Sequence, residues 1–271
     1  MEIPESLFER RGANVLVPTE LCRGPWSHGH LHGGAVTGAL GWALEGIAPG
    51  DDQLLARMTV EILSMVPLVP LDVRAELIKR GRRTSTGTAS LGHDGRVVAR
   101  AHAQWAAPGA AWPEPPGEVP LLPVVYSDPG ASTEIDYPRP GFNCDAVELR
   151  PLSGSTEDPG PGLVWVRLRP DVVAGQRPSP LGRIAALCDL GIAVGWDHAP
   201  SGASFINPDV TLQLSRYPIG DWVLFDSRSH VSGGGLGFCE TRLGDEAGPF
   251  GRVLQTLVEA PTELSVFASN P

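Results

Sequence analysis

The chain has 271 residues, 42% of them hydrophobic, enough to bury one large core or two domains of ordinary size. Its formal net charge of −10 argues against nonspecific binding to nucleic acid or to an anionic membrane, both of which rely on a net basic face, and leaves small molecules as the expected partners. The 33 glycines and 27 prolines stay below the level of roughly 25 to 30% that signals disorder, so they predict many tight turns instead.

The N-terminus, MEIPESLFERRGAN, is charged and has no apolar signal core, and no run approaches about 18 consecutive apolar residues. A soluble cytoplasmic protein is expected. Four widely spaced cysteines, Cys22, Cys144, Cys188 and Cys239, form no CxxC pair and read as reduced thiols. The first strand candidate is Asn14 to Leu21, with Val15 and Val17 on one face. GPWSHGHLHGG then runs into a helix in which Val36, Leu40, Ala43, Leu44 and Ile47 share one face, ending near Pro49-Gly50. Extended segments follow. In Leu71 to Lys79 the residues Val73, Ala75 and Leu77 alternate with Asp72, Arg74 and Glu76, and in Val97 to Trp105 every second residue is apolar.

Residues 108–140 are proline-rich and lack periodicity, as expected of a linker anchored by Leu121, Leu122, Val124 and Val125. A strand pair, Val147 to Leu152 and Gly162 to Leu168, leads to an apolar helix from Leu181 to Val194. Four strands then succeed one another between Phe205 and Val258, the first with Val210, Leu212 and Leu214 alternating against Asp209, Thr211 and Gln213. The polar groups Asp209, His230 and Gln255 fall on three of these strands. Both halves thus read as strand, apolar helix, then strands after a proline, Pro67 in one and Pro218 in the other, which is the signature of an old duplication. The expected fold is α+β, with two antiparallel sheets each wrapped round a central helix and set side by side. The expected domains are 1–107 and 141–262, with a tail at 263–271.

Several common chemistries find no footing here. His28, His30 and His32 alternate, yet no Cys, Asp or Glu stands near them, so no metal site is expected. Gly233-Gly234-Gly235 lacks the strand-to-helix context and the GK[ST] of a phosphate loop, and no GxSxG is present.

With these patterns in view, the chain resembles a double hotdog protein, and its second half is similar to the bacterial acyl-CoA thioesterase II family and its actinobacterial relatives. The resemblance rests on His32-Gly33-Gly34 opening the first helix, Arg80-Gly81-Arg82 at the first hairpin, Asp209 heading DVTLQLSR with Arg216 at its end, and Gln255 in the final strand. In that family an Asp, a Thr or Ser, and a Gln activate a water molecule. The resemblance implies Asp209, His230 and Gln255 as the catalytic group, with Ser229 or Ser232 as neighbouring hydroxyls and His230 standing where the family has a hydroxyl. Asp189 is the alternative base. It also implies oxyanion or substrate contacts from Gly33, Gly34, Arg80 and Arg82, an acyl-CoA substrate, no cofactor and no metal, and a homodimer.

The implied reaction is thioester hydrolysis by water. Two other readings stay open, a hotdog acyl-CoA hydratase and a non-catalytic protein that binds acyl-CoA or another apolar ligand. The residues also have plainer readings: Asp209 as a turn residue after Asn207-Pro208, Gln255 as a solvent-facing strand residue, His230 at a β-bulge, Asp189 at the polar edge of its helix, and the arginines as a solvated hairpin tip.

Overall fold

A computed structural model describes residues 4–109, 141–154, 159–176, 178–196 and 204–260. The expected linker anchors and the tail lie outside these residues. In chain order the elements are β1 (Ser6–Arg11), β2 (Val15–Pro18), α1 (Gly33–Glu45), β3 (Leu54–Ile62), β4 (Leu71–Lys79), β5 (Thr84–His93), β6 (Arg96–Ala106), β7 (Val147–Ser153), β8 (Gly162–Leu168), β9 (Asp171–Val173), α2 (Pro180–Leu187), α3 (Gly191–Val194), β10 (Phe205–Ile206), β11 (Asp209–Leu214), β12 (Trp222–Val231), β13 (Leu236–Asp245) and β14 (Gly248–Glu259).

The strands form one continuous sheet, in which the two sheets expected side by side are paired edge to edge. Its spine is β7-β8-β12-β13-β14-β11-β3-β6-β5-β4-β2-β1-β9, with β10 paired to β14. Outward from the β11–β3 joint the order repeats, β11-β14-β13-β12-β8-β7 on one side and β3-β6-β5-β4-β2-β1 on the other, so the duplication read from the sequence has a counterpart in the topology. Val210 sits opposite Val60 and Leu212 opposite Met58 at the joint, and all four side chains are fully buried. Each half offers an edge strand with unpaired backbone groups and an apolar inner face, and pairing the two satisfies both at once. A second tie closes the far end, where β9 of the second half runs parallel to β1 of the first.

The helices lie on the inner face and pack on each other. α1 is almost wholly buried and touches β3 to β6 as well as α2. Its glycines permit that approach: a Cβ on Gly41 would stand 2.4 Å from the Cβ of Ala185, and one on Gly38 3.0 Å from that of Ala186. The second apolar helix is not continuous as its periodicity predicts. It breaks at a 3-10 turn, Cys188–Leu190, between α2 and α3. The broken ladder is repaired from outside, because the Gln255 side chain donates to the Asp189 carbonyl at 3.0 Å and accepts from the Ile192 N–H at 3.2 Å. One amide thereby pairs backbone groups that an unbroken helix would pair internally.

Arg216, which ends the DVTLQLSR motif two residues past β11, has a structural role. Its guanidinium makes two 2.6 Å bonds to Asp245 and donates to the Gly248 carbonyl, pinning the segment after β11 to the β13–β14 turn. All four cysteines are free and buried. Among the described residues no helix is long and apolar enough to cross a membrane, and no three His, Cys, Asp or Glu side chains cluster as a metal ligand set.

Candidate active site

Strand alternation decides which of the expected residues can meet. On β11 the core takes Val210, Leu212 and Leu214, which turns Asp209 to the opposite face with Thr211 and Gln213. Its carboxylate accepts from the Thr256 N–H at 3.1 Å. On β12 the inner side chains are Phe225, Ser227 and Ser229, so His230 lies on the outer face with Asp226 and Arg228, exposed and stacked on Phe238 with ring centroids 4.7 Å apart. Gln255 has the other parity and is 1% exposed on the inner face. The structure therefore does not bring Asp209 and His230 together with Gln255.

Asp189 is the carboxylate that meets Gln255. It sits in the 3-10 turn, 4% exposed, where the interrupted helix lets its side chain point across to the start of α1. Its Oδ1 accepts from Asn207 Nδ2 at 2.7 Å and lies 3.5 Å from Gln255 Nε2. Its Oδ2 lies 3.3 Å from His32 Nδ1. Burial raises its pKa from 3.8 to about 7, against the opposing pull of bonds from Asn207 and the Gly34 N–H. A carboxyl poised near neutrality is the form in which general-base work is done at physiological pH.

The opening of α1 completes the site. His32 is the N-cap, its Nδ1 accepting from the Gly34 N–H at 2.8 Å. Phe142, from a single π-helical turn (Phe142–Ala146) before β7, stacks on the imidazole with centroids 4.5 Å apart. Burial holds the imidazole neutral, its pKa lowered from 6.5 to about 3. Gly33 is required by contact, since a Cβ there would stand 2.4 Å from Asp189 Oδ2. Gly34 is equally crowded, with a Cβ 2.5 Å from the Phe142 ring. As Gly34 already serves His32, Gly33 is the glycine whose N–H, at the first helical position, has no acceptor within the helix.

Other expected contacts fall elsewhere. Arg80 and Arg82 are exposed at the β4–β5 hairpin tip, which Gln53 holds through the Gly81 carbonyl. A Cβ on Gly87, just past that tip, would meet Ile47, so the tip lies toward the C-terminal end of α1, about 20 Å of helix from Gly33. Ser229 donates to the Gly195 carbonyl at 2.5 Å and Ser232 to the Leu236 carbonyl at 3.0 Å, so both hydroxyls have backbone partners. Asn207 was not picked out as a site residue by the sequence reading. Its only signal was the Asn-Pro pair before Asp209, which has the ordinary look of a turn.

A family described as acyl-CoA thioesterase N-terminal domain matches residues 22–106, and one described as acyl-CoA thioesterase C-terminal domain matches residues 116–258. The chain belongs to the acyl-CoA thioesterase family. No curated protein matches the sequence significantly. Solved structures similar to this family member include a hot dog fold protein of unknown function from Alicyclobacillus acidocaldarius, at 18% identity and TM-score 0.69 over 94% of this chain and 96% of that one. The tesB protein of Mycobacterium avium subspecies paratuberculosis matches at 18% identity and TM-score 0.66 over the same shares. An acyl-CoA thioesterase II from Mycobacterium marinum matches at 16% identity and TM-score 0.63 over 97% of both chains. At these identities the likeness shows a shared fold, the hotdog fold.

Proposed function

We propose that the protein is an acyl-CoA thioesterase built as a double hotdog, residues 1–107 and 141–262 each forming one unit around its helix, with Asp189 as the base. The observation that carries the reading is the meeting of Asp189, Asn207 and Gln255 against the first turn of α1. Asp and Gln are two of the three residue types that the family resemblance implies, and Asn207 stands in the place of the hydroxyl. An amide donor fixes one carboxylate oxygen without adding charge, which a Thr or Ser also does.

In this reading a water held against Asp189 attacks the thioester carbonyl. The new C–O bond forms as the water proton passes to the carboxylate. The resulting oxyanion takes the Gly33 N–H at the positive end of α1. Collapse of the intermediate breaks the C–S bond, and the coenzyme A thiolate leaves with the proton that Asp189 held. Asn207 and Gln255 keep the carboxylate oriented through both steps, Gln255 also holding the helix break that presents it.

The test is release of free coenzyme A from short, medium and long acyl-CoA substrates. Wild type is expected to turn over at least one of them, Asp209→Ala to stay within a fewfold of wild type, and Asn207→Ala to lose about tenfold or more in kcat. Loss of activity in Asp209→Ala with retention in Asn207→Ala would return the base to Asp209. A hydratase reading draws on one observation, the imidazole of His32 beside the Asp189 carboxyl. Consumption of an enoyl-CoA without release of coenzyme A would favour it.

A further inference from the structure

The contact between His32 and Asp189 goes beyond the Asp, hydroxyl and Gln group. We propose that His32 is a positioning residue whose unprotonated Nδ1 accepts a hydrogen bond from the protonated Asp189 carboxyl, so that the proton taken from water is held on Oδ2. This rests on the reading of Asp189 as the base.

The proton's place follows from the partners. The two side-chain donors, Asn207 Nδ2 and Gln255 Nε2, both face Oδ1, so Oδ1 is the oxygen that stays bare, while the Gly34 N–H, which also acts on the carboxyl, has its 2.8 Å bond to Nδ1. Oδ2 faces Nδ1 at 3.3 Å. That nitrogen already accepts the Gly34 N–H at 2.8 Å and so carries no proton; the neutral ring has its hydrogen on Nε2. Two lone-pair atoms at this distance repel when the carboxyl is ionised; when Oδ2 is protonated, its hydrogen and that of the Gly34 N–H share the single Nδ1 lone pair in a three-centre bond. The imidazole therefore makes Asp189 more eager for a proton.

Phe142 covers the ring and keeps it from charging, so the imidazole does not take the proton for itself. On the elements around the pair, Glu20, Asp245, Arg242 and Glu240 are held in ion pairs with Arg23, Arg216, Asp226 and Arg252, and the other titratable side chains there are Cys22, Cys144, Asp145, Cys188 and Cys239, all buried. Burial raises the thiols of Cys22, Cys188 and Cys239, which stay neutral over the working range. Asp145 is tied to the Gly141 N–H of its own turn.

The experiment compares kcat/KM against pH in wild type, His32→Ser and His32→Asn. Ser keeps an N-cap acceptor but does not reach Asp189, whereas Asn places an oxygen near the position of Nδ1. Expected are a fall in the midpoint of the acid limb by about one pH unit in His32→Ser and a return toward wild type in His32→Asn. A His32→Ser profile that overlays wild type, with Asp189→Asn inactive, would reduce His32 to a helix cap and overturn the proposal. Should Asp189→Asn stay active, the base assignment itself fails. Nitrogen NMR of the wild-type protein tests the same point without a variant: a bare Nδ1 and protonated Nε2 between about pH 5 and 9 is expected, and an imidazolium at pH 6 overturns it.

Discussion

Asp189→Asn is expected to slow thioester hydrolysis by at least about a hundredfold and, at neutral pH, to make the folded protein more stable. The two effects have one cause. Burial holds the Asp189 pKa near 7, above its ordinary 3.8, so the fold binds this proton more tightly than the unfolded chain does. The resulting stability is fully present below about pH 4 and is lost as the pH rises through about 7. Above that, wild type carries an ionised carboxylate in a site 4% exposed, a penalty of up to about 4 kcal/mol. Asn imitates the protonated acid, with an oxygen for Asn207 and Gln255 and an amide hydrogen for His32. Thermal unfolding of both proteins at pH 5 and pH 8 checks this. The Asn variant should gain on wild type as the pH rises, and a gap that is constant or reversed would mean that the carboxyl is not raised. In wild type, kcat/KM should climb from pH 5.5 to 8 with a midpoint near 7.

Gly33→Ala should cost at least about a hundredfold in kcat/KM while leaving the protein folded. Gly33 opens α1 with no unusual backbone conformation, so the effect is one of space. The new methyl carbon would stand 2.4 Å from Asp189 Oδ2 and 2.6 Å from Cγ and Oδ1. The carboxyl must swing away, and it then loses Asn207 or His32. Displacement of a reacting group by about an ångström is enough for a loss of that size, whereas overpacking costs typically 1–3 kcal/mol in stability. Gly41→Ala supplies the comparison, since its methyl carbon would fall 2.4 Å from the Ala185 Cβ, two turns further along α1. It should lower the melting temperature to a similar extent with a far smaller effect on turnover per folded molecule. Equal losses of turnover in the two variants would show a general packing effect and remove the special place of Gly33.

Asp209, His230 and Gln255 are polar residues on three different strands, β11, β12 and β14, and counting along the chain does not bring them together; only face and register do. The alternation was nonetheless visible. Val210, Leu212 and Leu214 claim the core, which already sets Asp209 among Thr211 and Gln213. Gln255 has Val253 and Leu257 as its neighbours of the same parity, both fully buried, which marks it as an inward residue. Asp189 lay inside an apolar run and had the look of a residue at a helix edge. Nothing local in the run Leu181 to Val194 announces the break, because the group that stabilises it is Gln255, over sixty residues away.

By itself the sequence determined the first helix, the long antiparallel strands, the repeated order of the two halves and the acyl-CoA thioesterase family, since period, turn residues and motif are written locally along the chain, while β1 and β9 were not legible in it. Tertiary structure alone decided that β3 and β11 are the strands that join the two sheets and that Asp189 meets Asn207, Gln255 and His32. These depend on which face each strand turns to the core and on long-range hydrogen bonds that replace a broken helical ladder, and neither is encoded in a short window of residues.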